Sequence, residues 1–114
     1  MLVTTTEHIA GKRVVRTLGL ATGAVTRSPG LMKGIVASIK NLLGGELEEF
    51  TRTIAQAREQ ALDRTKDHAR SLGANAVISI RFASAEIASY AAEIVCYGTA
   101  VVLEEDESAG DEGG

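Results

Sequence analysis

The sequence predicts an α+β fold, a small antiparallel or mixed sheet with two helices, and three observations carry that reading. Segments with strand character come first and last while the helical ones fall between them, so the chain does not alternate βαβ. At 114 residues, with 45% apolar and 24% charged side chains, it has the size and balance of one globular domain with one core. The last strand is apolar on both of its faces, which asks for cover on both sides.

Taken in order, Val3 to Thr6 is short and β-branched and suits a first strand. Arg13 to Val25 forms a second extended stretch, and Gly19 and Gly23 inside it predict bulges or a bend. Ser28-Pro29-Gly30 reads as a helix start. Leu31, Ile35, Ile39 and Leu42 then make an apolar stripe that stops at Gly44-Gly45, a first helix of about three turns.

A longer helix is predicted from Glu46 to Leu72. Leu47, Phe50, Ile54, Ala57, Ala61, Ala69 and Leu72 give it an inner face rich in small residues, with acids at its start and Lys66 and Arg70 near its end. Gly73 suits the left-handed residue that closes a helix. Beyond it, Ala76, Ile78, Ile80 and Phe82 alternate with Val77, Ser79 and Arg81, a strand with one buried face. Ala83 to Tyr90 reads as a connection. From Ala92 to Leu103 the final strand shows Ile94, Cys96, Gly98, Ala100 and Val102 on one face and Val95, Tyr97, Thr99, Val101 and Leu103 on the other. Two helices cannot cover so much apolar sheet, so a partner subunit is expected.

Charge is uneven along the chain. The net charge is −3, yet six of the fifteen acids lie between Glu104 and the C-terminus, leaving twelve bases against nine acids in the body. A tail rich in acid, glycine and serine buries too little to order itself, so the domain is expected to span 1–103, with 104–114 a disordered, solubilising tail. A lone cysteine, Cys96, forms no intrachain disulfide and fits a reducing compartment, the cytoplasm. No stretch has signal-peptide character or the roughly 20 apolar residues of a membrane span. The scattered bases and the lack of a helix-turn-helix, zinc-finger or aromatic RNA-binding pattern speak against nucleic acid as a partner.

Several motifs, in order and spacing, resemble the YbjQ-like family of uncharacterised bacterial proteins, which carries a heavy-metal-binding label. They are Val3-Thr4-Thr5-Thr6, Gly11-Lys12, Leu18-Gly19, Ala37-Ser38-Ile39 before Gly44-Gly45, Ala57-Arg58-Glu59, Leu72-Gly73-Ala74-Asn75-Ala76-Val77 and Gly98-Thr99-Ala100-Val101-Val102. The resemblance implies a dodecin-like subunit with an added helix, assembled as a ring-shaped homopentamer in which short extra strands join neighbours. It brings no activity, no substrate and no ligand motif.

The chemistry offered by the residues is sparse. A soft divalent metal wants three or four Cys or His ligands, and the candidates are Cys96 and His68, with His8 most simply exposed near the first strand. There is no CxxC, HxxH or HExxH. Core packing is the simpler reading of Cys96, and an interior or interface role that of His68. Symmetry could pool either residue at an axis or interface. No Ser, Cys or Thr sits in a motif with a base and an orienting acid, so catalysis is not expected. Glu59, Asp63 and Asp67 share a helix face, where Arg58, Lys66 and Arg70 make a solvated mixed-charge surface the simpler reading. A dodecin-like flavin site would have to stack on Tyr90, Tyr97, Phe50 or Phe82. The sequence thus points to a homo-oligomeric binding or scaffold protein, a pentamer as the resemblance implies, with a heavy-metal-binding oligomer as the alternative.

Overall fold

In the computed structural model, the structure describes residues 1–27, 45–88 and 91–107. Four strands and one helix are formed there: β1 (Leu2–Val3), β2 (Lys12–Arg27), α1 (Gly45–Ser71), β3 (Ala76–Ala88) and β4 (Ala91–Glu105). The stretch expected to form the earlier helix, 28–43, lies outside the described residues. The sheet is mixed and runs β1-β3-β4-β2, with β1 parallel to β3 and the other neighbours antiparallel.

The long helix lies where its spacing placed it, and its C-terminus shows why it stops. Gly73 takes a φ of +91°, its N–H bonds the Arg70 carbonyl at 3.0 Å, and the Ala74 N–H reaches back to Ala69 at 3.1 Å. That paired closure needs a left-handed residue, which glycine adopts without strain from a Cβ.

α1 packs on β2 and β4 through side chains that are small. Ala57, Ala61, Thr65 and Ala69 recur every four residues, and all four are fully buried. They meet Ala21 and Gly23 of β2 and Cys96 and Ala100 of β4. At Gly23 the approach is so close that a Cβ would stand 2.5 Å from the Ala61 carbonyl oxygen and 2.6 Å from the Thr65 nitrogen. Helix backbone therefore rests on strand backbone, which is how a core almost without rings fills its volume.

β2 has the expected irregularities, since its register against β4 shifts between Val14 and Arg16 and again between Thr17 and Gly19. β3 departs from expectation. Its pairing slips by one residue between Ile78 and Arg81, with Ser79 at a φ of +55°. The bulge is held by the N-terminal segment, whose Thr6 and Thr4 carbonyls accept the Ser79 and Ile80 N–H groups, each at 3.0 Å. As a result Val77 and Ile80, three apart, join the core under α1, while Ala76 and Ile78 join a second cluster with Val101, Leu103 and Ile9. The expected face of Ala76, Ile78, Ile80 and Phe82 is thereby broken, and Phe82 is left exposed.

Two further boundaries differ. Ala83 to Ala88, read as a connection, continues β3 because it pairs with β4 from Ala91 to Val95. At the other end β4 runs through Glu104 and Glu105, the first residues of the segment expected to be a disordered tail. There Arg13 lies opposite Glu104 and Lys12 opposite Glu105, and each forms a cross-strand ion pair with that acid. Residues 108–114 lie outside the described residues.

The close seam makes a direct prediction. Gly23→Ala should lower the urea midpoint by the equivalent of about 1–3 kcal/mol without changing the denaturant slope; an unchanged midpoint would mean that α1 can shift away from β2 at no cost.

Candidate functional site

The two residues proposed as ligands, Cys96 and His68, are both brought to the middle of β2, but from different sides. Cys96 is in β4, opposite Gly23 on one side and Phe82 on the other, and it is fully buried under α1. Burial pushes its thiol above the ordinary value of 9.0, and a hydrogen bond from the Thr65 side chain offsets part of that. The Cys96 carbonyl is also engaged, accepting from the Thr22 hydroxyl at 3.0 Å and from the Thr65 hydroxyl at 3.2 Å. The Thr65 Oγ1 also lies 2.9 Å from the Ala61 carbonyl. Its one proton is shared among these neighbours.

His68 stands at the rim of the seam, half-buried. Its Nδ1 accepts the backbone N–H of Thr22 at 3.0 Å. One turn earlier on α1, the Arg64 guanidinium donates to the Ala24 carbonyl. Thr22 thus connects the two candidates, bonding His68 through its amide and the Cys96 carbonyl through its hydroxyl. His8 is exposed and away from both, with its carbonyl taken by the Thr6 hydroxyl.

Among the described residues no group of three or more His, Cys, Asp or Glu side chains is placed to hold a metal ion. Asp63 and Asp67 of α1 behave as a solvated face: Asp67 pairs with Arg70 at 2.9 Å and Asp63 with Lys66 at 3.9 Å. Two open clefts, of about 510 and 330 Å³, lie at the far end of the sheet around Glu104 and Glu105, and neither is lined by a histidine, cysteine or hydroxyl side chain. Of the aromatic residues considered for flavin stacking, Phe82 pairs with Cys96 and Tyr97 with Arg81. They are on opposite faces of the sheet, so one subunit cannot clamp a flat ring between them.

Comparison with known proteins decides the family. A family model described as "Putative heavy-metal-binding" matches residues 1–104. The chain belongs to the YbjQ family. A UPF0145 protein of Thermococcus kodakarensis is 45% identical over 107 residues, covering 94% of this chain and 95% of its own. Another, from Bradyrhizobium sp., is 48% identical over 104 residues, covering 91% and 94%. YbjQ-family relatives therefore occur in archaea as well as bacteria, which corrects the expectation of a bacterial family. Their names state no activity. The chain also shares its fold with a crystal structure of a protein of unknown function from Pediococcus pentosaceus, at a TM-score of 0.61 and 14% identity, covering 91% of this chain and 98% of that one. No helix among the described residues is long and apolar enough to cross a membrane.

The donor set can be tested against the metal in the YbjQ description. A cysteine binds metal as thiolate, whereas Cys96 is buried and its thiol is held protonated. A neutral imidazole that accepts at Nδ1 carries its proton on Nε2, so His68 has no lone pair left to offer while it holds Thr22. Within one subunit these residues do not fit a soft metal.

Sequence reading missed Thr65, Thr22 and Arg64. Thr65 had a signal, since it completes the four-residue series of small side chains from Ala57 to Ala69. Thr22 and Arg64 had none, because their partners are remote in the chain.

The buried thiol sets an alkaline limit. The unfolded chain ionises its cysteine near the ordinary 9.0, while the folded chain holds the proton to higher pH. Stability should be unaffected below that value and fall as pH rises through it. In unfolding curves from pH 7 to 10.5, Cys96→Ala should lack this part of the alkaline decline, and a parallel decline in both proteins would refute the assignment.

Proposed function

We propose that the protein is a homo-oligomeric binding or scaffold protein of the cytoplasm, a pentamer in the favoured form, and that it works without catalysis. The observation that carries this reading is the sheet face opposite α1. Val14, Leu20 and Tyr97 lie there, 41%, 63% and 39% exposed, although Leu20 and Tyr97 are in the middle of long strands. Among the described residues, Ile9 covers one end of that face. Large apolar side chains at the centre of a sheet normally have a layer over them. A ring of subunits would give the sheet a second layer over the part of that face that no described residue covers.

Native mass spectrometry of untagged protein tests this reading, and the expected result is a pentamer. Leu20→Asp should move the distribution to smaller species, since it buries a charge in the interface. A wild-type monomer at micromolar concentration would overturn the reading.

The family description favours a second reading, a heavy-metal-binding oligomer whose ligands are pooled between subunits at Cys96 or His68. It predicts a bound metal mass that is removed by mild acid and reduced in Cys96→Ser or His68→Ala. Metal binding unchanged in both variants, or no bound metal at all, would dispose of it.

A further inference from the structure

Among the described residues β2 is the last strand of the sheet, so one of its sides carries backbone N–H and C=O groups that no described strand pairs. Such an edge is a template for another chain, and folded proteins block it. In this protein the block is made by the helix. At mid-strand the Thr22 N–H is taken by His68 Nδ1 at 3.0 Å, and the Ala24 carbonyl by the Arg64 guanidinium. Thr22 and Ala24 are two residues apart, and their backbone groups point out on the same side of the strand. His68 and Arg64 are four apart, one above the other on the same flank of α1. An acceptor thus faces the donor and a donor faces the acceptor, as in a neighbouring strand. The register is fixed by the seam beside it, where α1 rests on Gly23.

We infer that His68 and Arg64 form an edge cap which closes β2 to strand addition by a second copy of this chain, and that this task, rather than metal ligation, occupies the imidazole. The cap needs the neutral ring with its proton on Nε2, the tautomer that cannot also present a nitrogen lone pair to a cation. Arg64 adds a fixed charge to the edge, and an incoming strand would have to bury it. The inference concerns one edge of one strand and is independent of how many subunits the native assembly contains.

Nitrogen NMR of the imidazole and hydrogen exchange of the Thr22 amide in the full-length native assembly give the test. The wild-type ring should show an unprotonated Nδ1 and a protonated Nε2, and the Thr22 amide should be protected. His68→Ala should accelerate exchange at Thr22 by about tenfold or more relative to neighbouring amides of β2. His68→Asn, whose side-chain oxygen can stand in for Nδ1, should restore the protection, which general loosening of the fold would not explain. The double variant Arg64→Ala/His68→Ala should form species at multiples of the wild-type mass. A proton on Nδ1 in the wild type would overturn the inference even if the variants failed to fold. So would cadmium chloride shifting the His68 ring signals while releasing the Thr22 amide, or a double variant that folds and keeps the wild-type mass.

Discussion

The contact on which the rest depends is the approach of α1 to Gly23. A side chain of any size there would meet helix backbone at 2.5 and 2.6 Å and the Arg64 Cβ at 2.7 Å, so the position admits hydrogen alone. Once the helix is that close, its inner residues must be small, and Ala57, Ala61, Thr65 and Ala69 are. Dispersion contacts between backbones then replace the bulk that aromatic residues supply in other cores. Van der Waals attraction falls off steeply with distance, so such a seam gains its strength from closeness along its whole length.

From that seam the character of the would-be site follows. Cys96 is shut beneath the helix, and its environment keeps it a thiol. Thr65 is the one polar residue in the stripe, and its hydroxyl is satisfied within the seam by the Ala61 and Cys96 carbonyls. His68 emerges at the rim, where the next available group is a strand amide. Cysteine and histidine, the residue types that suggest metal binding in a sequence, are here consumed by packing and by backbone satisfaction. The YbjQ-family description and the geometry of one subunit point in different directions, and the pooling of residues between subunits is what could bring them together.

The sheet's other face tells the opposite story. Where α1 covers the sheet, small residues are packed without gaps; where nothing among the described residues covers it, Leu20 and Tyr97 stand out into solvent. At the end near Glu104 and Glu105 the chain changes strategy again. Cross-strand pairs with Lys12 and Arg13 carry the ladder into acidic sequence, and exposed pairs of this kind add little stability but set register well. Asn75 works to the same end, its side-chain amide bonding both the N–H and the C=O of Leu103 at 2.8 and 2.9 Å.

The sequence by itself determined the α+β class, the span of the long helix and its closure at Gly73, the irregularity of β2 and the two-sided apolar character of β4. These are written in local spacing: a period of 3.6 or 2, a glycine at a terminus, a strand without a polar face. Tertiary structure alone decided the bulge at Ser79, which parted Ile80 and Phe82 from the face of Ala76 and Ile78, because the groups that hold it come from Thr4 and Thr6. It alone extended β3 past Ala83, where alanine and serine give no pattern and pairing with β4 supplies the order. It also decided the use of Cys96 and His68. A thiol's ionisation depends on what buries it, and an imidazole's free nitrogen on which amide lies within 3.0 Å; both are set by neighbours far away in sequence, so neither can be read along the chain.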